Sequence, residues 1–197
     1  MKKSLLLLIL ATLVMQWNSC SPRREVTRID TDQQVDLSGR WNDTDSRMVA
    51  DALMDQVLHA NWLEEYRQQH NGARPILIVG LVRNKSHEHI NAETFIKDIE
   101  QAIIKDGSAR LVQAGSQRDA LRRERADQQD FASSQTAKQW GLELGADFML
   151  HGNINSIVDA YRDEKVVYYQ VNLELSNLET NEIIWIGDKK IKKFIEN

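Results

Sequence analysis

The stretch GADFMLHGNINSIVDAYRDEKVVYYQVNLELSNLETNEIIWIGDKKIKKF, from Gly145 to Phe194, decides the fold. Apolar and polar residues alternate along much of it, which is typical of strands that are buried on one face only. In the middle run, one face carries Val167, Tyr169, Val171, Leu173 and Leu175. Polar segments at 159–165 and 177–182 separate three such runs, and connections of this length join antiparallel strands. The chain therefore ends in a predicted antiparallel meander with one apolar and one polar face.

Upstream of this meander, the sequence predicts the strands and helices that complete a layered fold. Pro75 precedes the continuous apolar run ILIVGLV at 76–82, which is typical of a central strand covered on both faces. Asn91 is placed to cap a helix that ends at Gly107. Further predicted elements are helices at 45–66, 115–130 and 136–144 and short strands at 35–37 and 109–113. The predicted fold class is α/β (α+β), with a mixed sheet of four to five strands flanked by about four helices.

The first residues have the pattern of a bacterial export signal. Lys2 and Lys3 precede an apolar run at 5–14 that is too short to span a bilayer. A small residue then precedes Cys20, the single cysteine, which is typical of a lipoprotein signal peptide at 1–19 that leaves Cys20 lipidated. The alternative is a free thiol after an ordinary signal or a membrane anchor. We further predict a flexible tether at 20–34 and a single globular α/β domain at 35–197.

The charge of the mature chain bears on its partners. Removing the signal peptide with its two lysines leaves 23 basic and 29 acidic residues, so the formal net charge is −6. A nucleic-acid-binding protein needs a basic face, so we expect no nucleic-acid partner. We expect attachment to a membrane through the lipid on Cys20 and otherwise a monomer.

Signatures of enzymatic sites are missing from the sequence. It contains no phosphate-binding glycine loop, no nucleophile elbow and no thiol nucleophile that would survive lipidation of Cys20. His87 and His89 are the best metal-ligand candidates, and His151 could join them only through folding. Because structural zinc sites show paired ligand spacing, an ordinary polar loop is the preferred interpretation. We therefore expect a protein that is not an enzyme and that needs no cofactor or metal.

Two surfaces are candidates for binding a partner protein. The first is the polar face of the meander, with His151, Asn153, Tyr168, Gln170 and Asn172. The second is the turn that holds Arg40, Trp41 and Asn42, where an aromatic residue lies among polar neighbours. The alternatives are a solvated sheet face for the first and a helix cap with a packed indole for the second. The arginine-rich segment from Arg118 to Arg125 is the next candidate.

Four segments together resemble the LpoB-like lipoproteins, the outer-membrane activators of bifunctional penicillin-binding proteins. They are DLSGRWNDTDSRMVADAL, PILIVGLVRNKSHEHINAETFIKDIEQAI, GADFMLHGNI and LSNLETNEIIWIGDKKIKK, and they occur in the same order. The resemblance implies a non-enzymatic α/β protein, lipid-anchored in the outer membrane and facing the periplasm, that regulates peptidoglycan synthesis. The related CsgG-like envelope-assembly proteins are an alternative, and an envelope hydrolase with an unrecognised site is another. The tether here is shorter than in members of the family that reach across the periplasm.

Overall fold

The computed structural model describes residues 25–31, 33–131 and 143–196. It divides the chain into two compact units, 1–33 and 34–197. In the first unit, the described residues form no helix or strand, and the amide of Gln33 donates to the carbonyl of Asp30. The helices and strands of the second unit are α1 (Asp43–Leu58), α2 (Asn61–Gln69), β1 (Ile76–Lys85), α3 (Ala92–Asp106), β2 (Arg110–Leu111), α4 (Gly115–Phe131), β3 (Phe148–Tyr161), β4 (Glu164–Asn177) and β5 (Ile183–Glu196).

The strands form one five-stranded mixed sheet in the order β2-β1-β3-β4-β5. β1 is parallel to both β2 and β3, whereas β3, β4 and β5 are antiparallel to their neighbours. The β3–β4 ladder runs from Phe148 opposite Asn177 to Tyr161 opposite Glu164, so that only two residues form the turn. The structure thus confirms the α+β fold class, with five strands and four helices in the described part of the chain.

The core lies on one face of the sheet, beneath α1 and α3. The alternation predicted for the middle strand is confirmed, because Val167, Tyr169, Val171, Leu173 and Leu175 are all fully buried. The helices contribute their apolar stripes, with Val49, Leu53 and Val57 from α1 and Phe95, Ile99 and Ile103 from α3. Burial of a side chain of this size stabilises the fold by about 2 kcal/mol.

Asp147 joins the helical layer to the start of the meander. Its carboxylate accepts hydrogen bonds from the hydroxyl of Tyr66, at 2.8 Å, and from the amide of Ile76, at 2.7 Å. Burial, together with the bond to Asp147, raises the pKa of Tyr66 to about 12. The Gly-Ala-Asp sequence at 145–147 therefore links α2 in the helical layer to two neighbouring strands.

Several sequence predictions about local structure are wrong. The segment 35–37 forms no strand, and the predicted helix at 45–66 is two helices, α1 and α2, separated at His59 and Ala60. The indole of Trp62 donates to the carbonyl of Val57 at 2.7 Å, which satisfies an acceptor that a continuous helix would have bonded to its own backbone. β2 is shorter than predicted, and the helix predicted at 136–144 lies mostly outside the described residues.

Candidate protein-docking surface

The second face of β3, β4 and β5 is not covered by any helix that the structure describes. The helices α1 and α3 pack on the opposite face, and the residues between the buried positions of β4 are all half-buried. The five sheet residues proposed from the sequence, His151, Asn153, Tyr168, Gln170 and Asn172, lie together on this face. We call it the open face, and it includes Lys190 and Lys192 of β5, which lie opposite Gln170 and Tyr168.

A row of hydrogen-bonded side chains lies along β4 at the centre of the open face. The hydroxyl of Tyr168 donates to Gln170 Oε1 at 3.4 Å, and Gln170 Nε2 donates to Asn172 Oδ1 at 2.9 Å. Asn153 of β3 lies directly opposite Asn172, and His151 Nε2 lies 3.0 Å from the hydroxyl of Ser176. These groups stand on two paired strands, β3 and β4, so the backbone that carries them is rigid, while their amide and hydroxyl groups can still bond a partner.

Exposed apolar side chains continue the open face toward the β3–β4 turn. Ile157 is opposite Tyr168, and Val166 lies opposite Phe194 of β5. Ile157, Tyr161 and Phe194 are 67%, 69% and 62% exposed. These three residues are not among the candidates predicted from the sequence. One indication was present in the sequence: Ile157 is apolar, although the alternation along its strand predicts a polar residue at this position.

The turn containing Arg40 and Trp41 lies on the other side of the sheet. The Trp41 ring is half-buried and meets the buried Tyr169 edge-on, with 5.5 Å between ring centroids. The Trp41 amide donates to Glu88 at 3.0 Å, and burial, then the nearby Glu88, raise the pKa of Tyr169. The two surfaces predicted from the sequence are therefore not brought together, and a single flat contact would not span both.

Asn42, beside Trp41, caps α1. Its side chain accepts from the amide of Asp45, and the Asp45 carboxylate accepts from the amide of Asn42, both at 3.0 Å. This reciprocal arrangement satisfies two backbone donors at the start of the helix. The cap therefore fixes the direction in which the chain enters α1.

Lys193 of β5 holds the preceding loop against the sheet. Its ammonium lies 2.6 Å from Asp45, 2.8 Å from Asp36 and 3.1 Å from the carbonyl of Arg40. The bond from Lys193 lowers the pKa of Asp36 to about 2. Burial alone would lower the pKa of Lys193, but the bonds to Asp36 and Asp45 outweigh it and raise the pKa.

Two of the three histidines considered as metal ligands, His87 and His151, make other contacts. His87 Nδ1 lies 2.7 Å from the hydroxyl of Ser156, and His151 is bonded to Ser176. The described residues contain no group of three or more side chains arranged to hold a metal ion. Across the same part of the chain, none of the helices combines the length and apolar composition that crossing a bilayer requires.

Three of the four arginines of α4 bond other residues of the chain. Arg122 and Arg125 both contact the Glu143 carboxylate, and Arg118 donates to the carbonyl of Gln113. The hydrogen bond from Arg122 holds the pKa of Glu143 at about 2, well below its usual range. The arginine-rich segment is thus an exposed helix, in which these three arginines bond residues before and after it in sequence.

A known protein family matches most of this chain. The sequence profile of the family described as "Peptidoglycan-synthase activator LpoB" matches residues 45–191. No match was found among curated proteins.

Two solved structures to which the chain is similar are LpoB C-terminal domains. The one from Salmonella enterica is 21% identical and the one from Escherichia coli 20%; each alignment covers 76% of this chain and 99% of the other, with a TM-score of 0.43. The lipoprotein GNA1162 from Neisseria meningitidis is 13% identical, with 62% of this chain and 84% of the other covered and a TM-score of 0.38.

Proposed function

The chain belongs to the peptidoglycan-synthase activator LpoB family, and we propose that it is a non-enzymatic envelope lipoprotein that binds and activates a bifunctional penicillin-binding protein. The open face is the observation that supports this proposal. It combines a polar centre around Tyr168 and Gln170 with exposed Ile157 and Phe194 at one end. Protein interfaces commonly join a few aromatic or apolar anchors with adaptable polar groups.

Activation then proceeds by docking rather than by chemistry on this chain. The synthase would bury the Tyr168 ring and the Ile157 side chain, while Gln170 and Asn172 exchange water for the partner's polar groups. Such binding raises activity when the docked protein favours the active conformation of the synthase over the inactive one. The Arg40–Trp41 turn remains a second candidate contact, on the other side of the domain.

The anchor sets where this docking takes place. We propose that Cys20 is lipidated and holds the protein on the outer membrane, with its domain in the periplasm. The tether at 20–34 would then span at most about 50 Å when fully extended. The synthase would therefore have to extend toward the outer membrane to be reached.

The test is capture of a purified bifunctional penicillin-binding protein by variants of the full chain. Tyr168→Ala and Ile157→Ala should each weaken binding, by roughly thirtyfold where the residue is an anchor worth about 2 kcal/mol. Ile104→Ala is the matched control, because Ile104 on α3 is equally exposed at 67% but lies away from the open face. Stimulation of glycan synthesis should fall in parallel with capture, and thermal midpoints should show that all variants are folded.

Trp41→Ala addresses the second surface in the same assay. A loss of capture at an unchanged thermal midpoint would assign the turn to the interface, whereas a lowered midpoint would assign the indole to packing against Tyr169. Full capture by both Tyr168→Ala and Ile157→Ala would contradict docking on the open face. A ring-sized mass by light scattering would instead favour an envelope-assembly role.

A further inference from the structure

β1 has an open edge along most of its length. β2 pairs with β1 only at Ile76 and Leu77, while β1 continues to Lys85. The carbonyls of Pro75 and Leu77 accept hydrogen bonds from Arg110 and Val112 on this side. Because backbone groups alternate in direction along a strand, those of Val79 face the same side, where no described strand pairs with them.

A groove of about 1210 Å³ follows this open edge. Its walls are the first half of α3, including Ile96, and the first turn of α4 at 115–117. Its floor includes Ile78 and Met149, and a bulge between Val79 and Val82 leaves the Leu81 side chain 70% exposed. Bulges of this kind redirect a side chain at a strand edge.

The charges of the groove are uneven. Lys97, on the α3 wall, is paired with Glu100. Arg83 and Lys85, at the end of β1, are exposed, and among the described residues neither forms an ion pair or a side-chain hydrogen bond. Glu93 also lines the α3 wall, whereas the two cations at the end of β1 are complementary to a ligand that carries carboxylates.

We propose that this groove binds an extended acidic segment of a partner protein, which adds to the sheet as a strand beside β1. The open edge would supply backbone hydrogen bonds, the groove would take apolar side chains near Leu81, and Arg83 and Lys85 would bind the carboxylates. Strand addition gains affinity from the backbone and specificity from alternate side chains. At about 3.3 Å per residue, the edge from Ile78 to Lys85 accommodates roughly seven or eight residues.

A free extended segment fits this site better than a second copy of the chain. The walls formed by α3 and α4 flank the edge, so a strand that already belongs to a folded sheet would meet them. Edge-to-edge pairing of two copies would also bring Arg83 and Lys85 of each copy near the same cations of the other. The groove meets the open face at His151 and Asn153, but neither Tyr168 nor Ile157 lines it, so either proposal can fail alone.

The experiment measures binding of the labelled peptide Asp-Val-Thr-Val-Asp-Val-Glu to the full chain in mild detergent, by fluorescence anisotropy and by hydrogen exchange. The peptide should bind saturably and slow exchange of those backbone amides at 78–84 that face the edge, with Val79 among them. Replacing its acids with lysine should weaken binding, and methylating alternate backbone amides should abolish it. Arg83→Glu combined with Lys85→Glu should weaken it by about three- to tenfold, as for two partly exposed ion pairs. Lys105→Glu combined with Arg123→Glu is the control, with an equal charge change outside the groove.

Three outcomes would overturn the proposal. Equal binding of the methylated peptide would show that no strand forms, and binding without slowed exchange at 78–84 would place the peptide elsewhere. Slow exchange of the edge-facing amides, that of Val79 above all, in the free protein would show that the edge is already occupied. Dependence of that protection on protein concentration would identify a second copy, and independence would identify another part of the same chain.

Discussion

Lys193 connects the loop before α1 to the last strand of the sheet. Replacing it with methionine keeps much of the side-chain volume but leaves the buried carboxylate of Asp45 without its cation. Removing one partner of a buried ion pair is costly, and we expect Lys193→Met to lower the free energy of unfolding by about 3 kcal/mol. Urea denaturation measures the change. Lys192→Met, one residue away and on the open face, should change it by less than about 0.5 kcal/mol, and equal losses in the two variants would contradict this role for Lys193.

Asp36 makes part of the stability of the folded protein depend on pH. Its pKa is lowered from 3.8 to about 2 in the folded protein, first by the hydrogen bond from Lys193. A carboxyl whose folded pKa is depressed stabilises the protein above its unfolded pKa, and this contribution is lost as the pH falls through the folded value. We expect the Asp36→Asn variant to lose less stability than the wild type between about pH 4 and pH 2. Thermal midpoints across this range test it, and identical slopes for both proteins would exclude the contribution.

At the scale of the elements, β3 and β4 approach too closely at Gly152 for any side chain. A Cβ atom on Gly152 would collide with the carbonyl oxygen of Asn172 and with the Leu173 side chain. We therefore expect Gly152→Ala to displace the central ladder and to lower the free energy of unfolding by about 2 kcal/mol or more.

Gly145 provides the control for this substitution. It precedes β3, and a Cβ atom there would meet no atom within 4 Å. Chemical denaturation of Gly152→Ala and Gly145→Ala should therefore separate them clearly. A stable Gly152→Ala variant would mean that the β3–β4 pairing tolerates a shift that the structure does not suggest.

The sequence predicted correctly those elements whose caps and apolar patterns lie within a few neighbouring residues. α3 has a cap at Asn91, an apolar stripe and a left-handed Gly107 at its end, and all of these act within a few residues. The alternation of β4 likewise requires only that one face be buried. The break between α1 and α2 was not predictable in this way, because it depends on the Trp62 indole turning back to the carbonyl of Val57. β2 is shorter than the predicted strand at 109–113, because the chain turns into α4. The sequence of this segment nevertheless has the pattern of a strand.

At the scale of the whole molecule, the candidate site was predictable only in part. The alternation of apolar and polar residues along β4 predicted that Tyr168, Gln170 and Asn172 share one face, and this required no tertiary information. No described helix covers this face, because α1 and α3 both pack on the opposite face of the sheet. No local sequence pattern predicts on which face a helix will pack. The apolar end of the surface at Ile157 and Phe194 needed the register across three strands, since these residues lie 37 positions apart in the chain.

Attachment of the whole molecule to a membrane is predicted to depend on Cys20. The apolar run at 5–14 and the small residue before the single cysteine motivate lipidation, and two or more acyl chains give stable membrane attachment. We expect Cys20→Ala to leave a precursor that retains residues 1–19 and that fails to reach the outer-membrane fraction. Intact mass and detergent-phase partitioning measure this, with Ser21→Ala as a neighbouring control that keeps the thiol. In the proposed docking, the anchor brings the domain to the synthase, so the variant should also fail to stimulate synthesis in cells while binding the synthase normally when purified. A mature mass and normal partitioning in Cys20→Ala would instead assign attachment to another feature of the chain.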